Sequence, residues 1–139
     1  MPSTWDRALD TRYAPMDDDH HTVVQLLHTL LDRIDQGRPE AIKSAMKAVT
    51  QKVVEHFSFE ERLMATHRYP RAAEHQEAHA SYLADIRRFT VELEKKGLTE
   101  GFCLWARGRL VAWFKLHIKT HDIALAQAVL GAAKSQPQP

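Results

Sequence analysis

The chain has 139 residues, 44% of them hydrophobic and 27% charged, which suits one soluble globular domain and leaves no room for two large ones. Nineteen Lys and Arg against eighteen Asp and Glu give a formal net charge of +1, so the sustained basic surface that offsets a phosphate backbone is missing and a dedicated nucleic-acid binder is disfavoured. A single cysteine, Cys103, rules out an internal disulfide, and Arg107, Arg109, Lys115 and His117 interrupt the most apolar region well before the roughly 18 to 20 apolar residues of a membrane span.

Residues 1–16 read as an arm, with Trp5 and Tyr13 to pack down. Its start, Met1-Pro2-Ser3-Thr4-Trp5-Asp6, lacks the basic-then-apolar order of a signal peptide, so the expectation is a cytoplasmic protein. The strong interior turn signals after Pro15 are Gly37-Arg38-Pro39, Tyr69-Pro70 and Lys96-Gly97-Leu98-Thr99. They leave four long segments, about 17–36, 40–66, 71–96 and 100–131, rich in Ala, Leu, Glu, Lys, Gln and Arg and free of interior proline, which predicts helix in each. No alternating strand pattern competes.

In the first segment His20, Val23, Val24, Leu27, Leu30, Leu31 and Ile34 recur at steps of three and four, so one stripe faces a core. Asp17, Asp18 and Asp19 stand at its start, where carboxylates complement the helix dipole. Four such helices on short connections bury their stripes by folding back on one another. The predicted architecture is therefore all-α, a single domain forming an up-down-up-down four-helix bundle over about 17–131, with a frayed tail over about 132–139.

Nine histidines are the compositional anomaly. His56 and Glu60 lie four apart on the second segment and His75 and His79 four apart on the third, while the fourth carries His117 with His121 and Asp122. The first supplies His20 and, beside it, His21. A step of four turns a helix about 40° past a revolution, so each pair projects from one face about 6 Å apart along the axis. One histidine on an amphipathic helix is ordinarily solvated or packed. Three helices with such a pair are not a coincidence of that kind, and up-down alternation carries all four sets toward the same end of the bundle. The expectation is a metal site.

With His20, His56, His75, His79 and His117 as terminal ligands, Glu60 and Asp122 as bridges and one shared oxygen bridge, two six-coordinate ions keep one position open, enough for one small ligand bound end-on. Imidazole-rich ligation with carboxylate bridges suits iron, with copper, zinc and manganese compatible by ligand type alone. Competing motifs are weaker. In His75-Gln76-Glu77-Ala78-His79 the acid is one position too late for the H-E-x-x-H zinc arrangement, and the order H-x-x-x-E with mostly nitrogen ligands differs from the carboxylate-rich E-x-x-H helices of oxygen-activating di-iron bundles. Cys103 has no His or Asp partner nearby in sequence and reads as a packing residue.

The segments Met16-Asp17-Asp18-Asp19-His20-His21, His56-Phe57-Ser58-Phe59-Glu60-Glu61-Arg62-Leu63-Met64, Tyr69-Pro70, His75-Gln76-Glu77-Ala78-His79 and Trp113-Phe114-Lys115-Leu116-His117-Ile118-Lys119-Thr120-His121-Asp122 together resemble the hemerythrin family, and its single-domain bacterial members in particular. The resemblance covers the chain from about Trp5 to Leu130. It implies reversible dioxygen binding at two iron ions joined by an oxo or hydroxo bridge, in a binding protein rather than an enzyme. It assigns His75, His79 and His117 to the filled iron, His20 and His56 to the iron with the open position, and Glu60 and Asp122 to the bridges. Phe57, Trp113, Phe114 and Ile118 fall at or beside the walls of the family's oxygen pocket. Three residues depart from the common pattern: Ala78 where many bacterial members have Glu, Phe114 for Leu, and Tyr82 for Phe.

The implied use is oxygen carriage, storage or delivery, with dioxygen as ligand and an oxygen-consuming or signalling protein as partner. Oxygen or redox sensing, iron handling and nitric-oxide or peroxide defence would draw on the same ligands. On the first helix, adjacent residues point about 100° apart, so only one of His20 and His21 shares the Val24-Leu27-Leu31 stripe, and His20 is expected inside. On the fourth, ideal spacing favours His121 at four residues from His117 over Asp122 at five, about 140° away. Charge favours Asp122, because a dry dication pair needs a second carboxylate, and a local widening of the helix would supply the missing rotation.

Overall fold

A computed structural model describes residues 5–135, with side chains through residue 132. Three long helices, α1 (Ala14–Gln36), α2 (Pro39–Thr66) and α3 (Ala72–Lys96), precede a fourth helical run over residues 100–135, and no strand occurs among the described residues. The ends follow from particular residues. Prolines open α1 and α2, as Pro15 and Pro39 occupy first-turn positions whose missing N–H has no partner to lose. Gly37 closes α1 with φ at 68°, its amide bonded to the carbonyls of Arg33 and Ile34, a left-handed turn that a Cβ would resist. Thr99 caps the fourth run, its side chain accepting the Phe102 N–H at 3.1 Å.

The connections at residues 37–38, 67–71 and 97–99 are too short for anything but reversal. Accordingly α1 packs on α2, α2 on α3 and α3 on the fourth run, which also returns to α1. The arm is held by its own bonds. Leu9 is fully buried in a 3₁₀ turn, Arg7–Leu9, Trp5 Nε1 donates to Asp10 at 2.8 Å, and the Thr11 hydroxyl and amide both donate to Asp17 at 2.8 and 2.9 Å. Trp5 and Tyr13 both pack against apolar clusters. Helix α1 starts at Ala14, inside the expected arm, because Pro15 fits a first turn. The fourth run continues to Ser135, past the expected 131. Residues 1–4 and 136–139, the latter half of the expected tail, lie outside the described residues.

The fourth run is not uniform. Helical Glu100–Trp105, Val111–His117 and Ile123–Ser135 are separated by two π-helical turns, Ala106–Leu110 and Ile118–Asp122. The second lies where the His117 to Asp122 spacing asks for widening. The first has no counterpart in the sequence pattern.

Two apolar clusters make the core. The larger runs from Val23, Leu27 and Leu30 through Met46, Val53 and Phe57 to Phe102, Leu110, Phe114 and Ile118. The smaller joins Met16, Met64, Leu125, Ala126 and Val129. On α1, α2 and the fourth run, the predicted ligands fall between a residue of the smaller cluster and one of the larger: Met16, His20, Val23; Phe57, Glu60, Met64; Ile118, Asp122, Leu125. A polar layer is thus sandwiched between two dry ones.

Candidate metal centre

His20 on α1, His56 and Glu60 on α2, His75 and His79 on α3, and His117 and Asp122 on the fourth run are all buried. The fold brings them together in two overlapping groups, Glu60, His75, His79, His117 and Asp122 in one, and His20, His56, Glu60 and Asp122 in the other, with the ligand atoms of each group within 4.8 Å of one another. Both carboxylates belong to both groups. Their oxygens divide accordingly. Glu60 Oε2 stands 2.9 Å from His56 Nε2 and 3.5 Å from His20 Nε2, and its Oε1 stands 3.0 Å from His79 Nε2 and 3.3 Å from His75 Nε2. Asp122 Oδ2 meets His20 Nε2 at 2.9 Å, while Oδ1 meets His75 at 2.9 Å and His117 at 3.1 Å. Each acid therefore offers one oxygen to a two-histidine side and the other to a three-histidine side.

Short approach is not the same as pairing. The Nε2 atoms of His20, His56 and His75, Oε2 of Glu60 and both Asp122 oxygens make no hydrogen bond despite these distances, and His79 Nε2 lies 3.1 Å from His117 Nε2. Lone pairs that crowd together at good distance and poor angle face common points rather than one another. Buried polar groups left in this state are costly, and metal cations at the shared foci would satisfy them. The donor set, five imidazoles and two carboxylates, fits divalent or trivalent transition-metal ions.

His21 is exposed and lies against Trp5, ring centroids 3.9 Å apart, so of the adjacent pair it is His20 that enters the cluster. On the fourth run Asp122 is wholly buried and His121 only half-buried. The π turn is the reason: the Ile123 N–H reaches the Ile118 carbonyl, five residues back, and the extra residue brings Asp122 under His117. His121 is left outside, tilted against His75 at 5.3 Å between ring centroids and stacked on His117 at 4.9 Å.

Electrostatics tie the cluster together. Burial opposes charge on His56, but the field of the Glu60 carboxylate and the hydrogen bond to Asp19 push its pKa up to about 10. His75 rises to about 9 against burial because the Asp122 and Glu60 carboxylates lie beside it, and His20 rises likewise beside Asp122 and Glu60. For the two carboxylates burial opposes ionisation and is outweighed, so Glu60 and Asp122 stay well below the usual carboxylate range. His117 goes the other way, lowered chiefly by burial.

Two outer carboxylates were not singled out from the sequence as site residues. Asp19 Oδ2 accepts from His56 Nδ1 at 3.0 Å and Glu61 Oε2 from His79 Nδ1 at 3.0 Å, so one histidine on each side has its far nitrogen anchored and its tautomer set. Lys52 holds Asp19 in turn at 2.9 Å; the bond to His56 is the main reason the Asp19 pKa falls to about 2. The signal was present as an acid one residue from a ligand on each helix, but Asp19 reads equally well as a helix-dipole residue. Among the described residues the Nδ1 atoms of His20, His75 and His117 have no hydrogen-bond partner.

The four expected pocket residues take different places. Phe114, wholly buried, stands edge-on to His20 at 5.7 Å and near His56 at 6.2 Å, on the two-histidine side. Phe57 stacks on His79, 3.8 Å between centroids and 6° between planes. Trp113 stacks on His117 at 4.7 Å and on Tyr82 at 4.0 Å. Ile118 is buried in the large cluster. The Tyr82 hydroxyl donates to the Leu110 carbonyl at 2.7 Å. Cys103 is half-buried and packs against the large cluster. No helix among the described residues is long and apolar enough to cross a membrane.

Comparison with known proteins finds relatives along most of the chain. The chain is 26% identical over 125 residues to a bacteriohemerythrin of Pseudomonas paraeruginosa, covering 90% of this chain and 80% of that protein. It is 27% identical over 126 residues to a hemerythrin subunit of Sipunculus nudus, covering 91% and 92%, and 27% identical over 93 residues to the myohemerythrin of Riftia pachyptila, covering 67% and 72%. The family profile described as the hemerythrin HHE cation binding domain matches residues 11–128, a span that contains all seven converging side chains, and the chain belongs to the hemerythrin family.

Proposed function

We propose that this protein binds dioxygen reversibly at a di-iron centre and serves as a cytoplasmic oxygen carrier or store, delivering to an oxygen-consuming or signalling partner. The observation that carries the reading is the sharing of both carboxylates between a two-histidine and a three-histidine side. His75, His79 and His117 would hold one ion, His20 and His56 the other, and Glu60 and Asp122 would bridge, leaving the two-histidine ion one position short. Bound by these residues, a pair of irons would supply two electrons to dioxygen and take them back on its release.

The chain's own residues account for reversibility. Phe114 closes the two-histidine side with an apolar ring, and Phe57, Trp113 and Ile118 extend the dry wall, so water and protons that would discharge bound oxygen are kept away. Asp19 and Glu61 hold His56 and His79 in one tautomer. Glu60 and Asp122 are held ionised, so neither carboxyl offers a proton for turnover, which favours binding over catalysis.

The test is elemental analysis followed by anaerobic reduction and exposure to air. The expected outcome is about two irons per chain and an optical band that appears with air and disappears on deoxygenation. Zinc alone, or no metal after expression with ample iron, would remove the di-iron reading. Irreversible conversion to the oxidised spectrum in air would replace carriage by redox sensing.

A further inference from the structure

The two histidines whose far nitrogens are anchored are not anchored alike. On the two-histidine side, Asp19 Oδ2 accepts from His56 Nδ1 at 3.0 Å and the other oxygen, Oδ1, accepts from Lys52 Nζ at 2.9 Å. On the three-histidine side, Glu61 accepts from His79 Nδ1 at 3.0 Å. Glu61 is 40% exposed, and among the described residues no Lys or Arg pairs with it. One anchoring carboxylate therefore carries a cation on its back and the other does not.

That cation is also placed unlike the others in the chain. Lys52 joins α2 to α1, and the side chains of Lys52 and Asp19 are only 19% and 22% exposed. Every other Lys or Arg ion pair among the described residues has a partner 60% or more exposed. Pairs of that kind are screened by water and contribute little. A lysine drawn below the surface is unusual unless it is paired, and its field on nearby groups is damped less. The second partner of Lys52, Glu55 at 3.2 Å, lies on the solvent side.

We propose that Lys52 raises the reduction potential of the ion held by His20 and His56, acting through Asp19 as a positioning residue. A carboxylate that accepts the far proton of a metal-bound imidazole makes the ring a stronger electron donor, which favours the ferric state. Lys52 draws charge out of that carboxylate from its other oxygen, so Asp19 holds His56 in place without donating fully to it. The lysine charge itself opposes a further positive charge on the ion. Both effects have the same sign, and both keep the oxygen-binding side ferrous when no oxygen is bound. Glu61 acts on His79 without such a brake. This inference rests on the di-iron reading, and iron content measured first separates the two: absence of iron removes that reading, whereas an unchanged potential in iron-loaded variants removes this inference alone.

The test compares reduction potentials of iron-loaded wild type and Lys52→Met, which keeps the aliphatic stem and removes the charge. Lys52→Met is expected to have a lower potential and Lys52→Arg to restore the wild-type value. Lys52→Gln, which can still donate to Asp19 without a charge, is expected to fall between them and serves where Lys52→Met does not fold. Asp19→Asn, whose amide is a weaker acceptor, is expected to raise the potential. Lys47→Met removes an exposed charge from the same helix and is expected to leave it unchanged. A second readout needs no metal: in NMR of the metal-free protein the His56 Nδ1–H proton is expected to move downfield in Lys52→Met, as Asp19 pulls on it harder, while that of His79 stays in place. An unchanged or higher potential in both uncharged Lys52 variants, or an equal fall in Lys47→Met, overturns the proposal. So does an upfield move of the His56 proton, which would mean that Lys52 only keeps Asp19 in position.

Discussion

Asp122 and His121 are neighbours with opposite fates, one wholly buried between two groups of imidazoles and the other half-buried above them. Charge explains the choice, since a neutral imidazole in place of Asp122 would leave the cluster one negative charge short in a dry layer. Asp122→Ala is therefore expected to lose the coupled di-iron optical spectrum and His121→Ala to keep it; the reverse pair of results would mean that helical spacing outweighed charge. At Phe114 packing and access are joined in one ring. Its truncation to Ala should cost about 3–5 kcal/mol in urea unfolding, as for other fully buried aromatics, and should speed autoxidation by admitting water beside His20 and His56. Unchanged autoxidation in a folded variant would confine Phe114 to packing.

The π turn Ile118–Asp122 is the element on which the site depends. A π turn is equivalent to one residue inserted into an α-helix, so its effect is reversible by deletion. Removing Thr120, which is exposed, is expected to restore α geometry, keep Asp122 facing inward four residues after His117, and preserve both irons and the burial of Leu125, Ala126 and Val129. Adding one alanine after Thr120 is expected to swing Asp122 out of the layer and lower iron content. Iron analysis of the two variants checks this, and loss of iron on deletion would show that the wide turn itself is needed. At this scale the sequence is easily read at the caps and turns, where Pro15, Gly37, Pro39 and Thr99 act through local backbone chemistry. The turn Ala106–Leu110 is not legible, because no ligand spacing or breaker marks it.

Across the whole molecule the metal and the fold exchange protons. His56 and His75 have pKa values of about 10 and 9 without metal, so at pH 7 both are protonated and must each give up a proton to bind through Nε2. Iron loading at pH 7 is expected to release these two protons, with any from His20 in addition, measurable by calorimetry in buffers of different ionisation enthalpy. The sign for stability follows. A raised histidine pKa contributes stability that is fully present below the unfolded value of about 6.5 and is lost as pH rises through the folded value. The melting temperature of the metal-free protein should therefore fall between pH 7 and about pH 10, while that of the iron-loaded protein, whose imidazoles carry no titrating proton, should change little over the same range.

What the sequence determined by itself is the local and the periodic. Steps of three and four placed the apolar stripes, turn residues divided the chain into four helices, and the i, i+4 pairs marked His56, Glu60, His75 and His79 as candidates, since a helix converts spacing into direction. The tertiary structure decided what depends on more than one helix. It set His21 against Trp5, divided the oxygens of Glu60 and Asp122 between two groups, and recruited Asp19 and Glu61 from neighbouring turns as acceptors for His56 and His79. It also separated the four aromatic and aliphatic wall residues, placing Phe114 beside the two-histidine side and Phe57 and Trp113 on rings of the three-histidine side. None of these follows from a one-dimensional pattern, because each is settled by the angle between packed helices and by the need of a buried polar layer to satisfy every charge it contains.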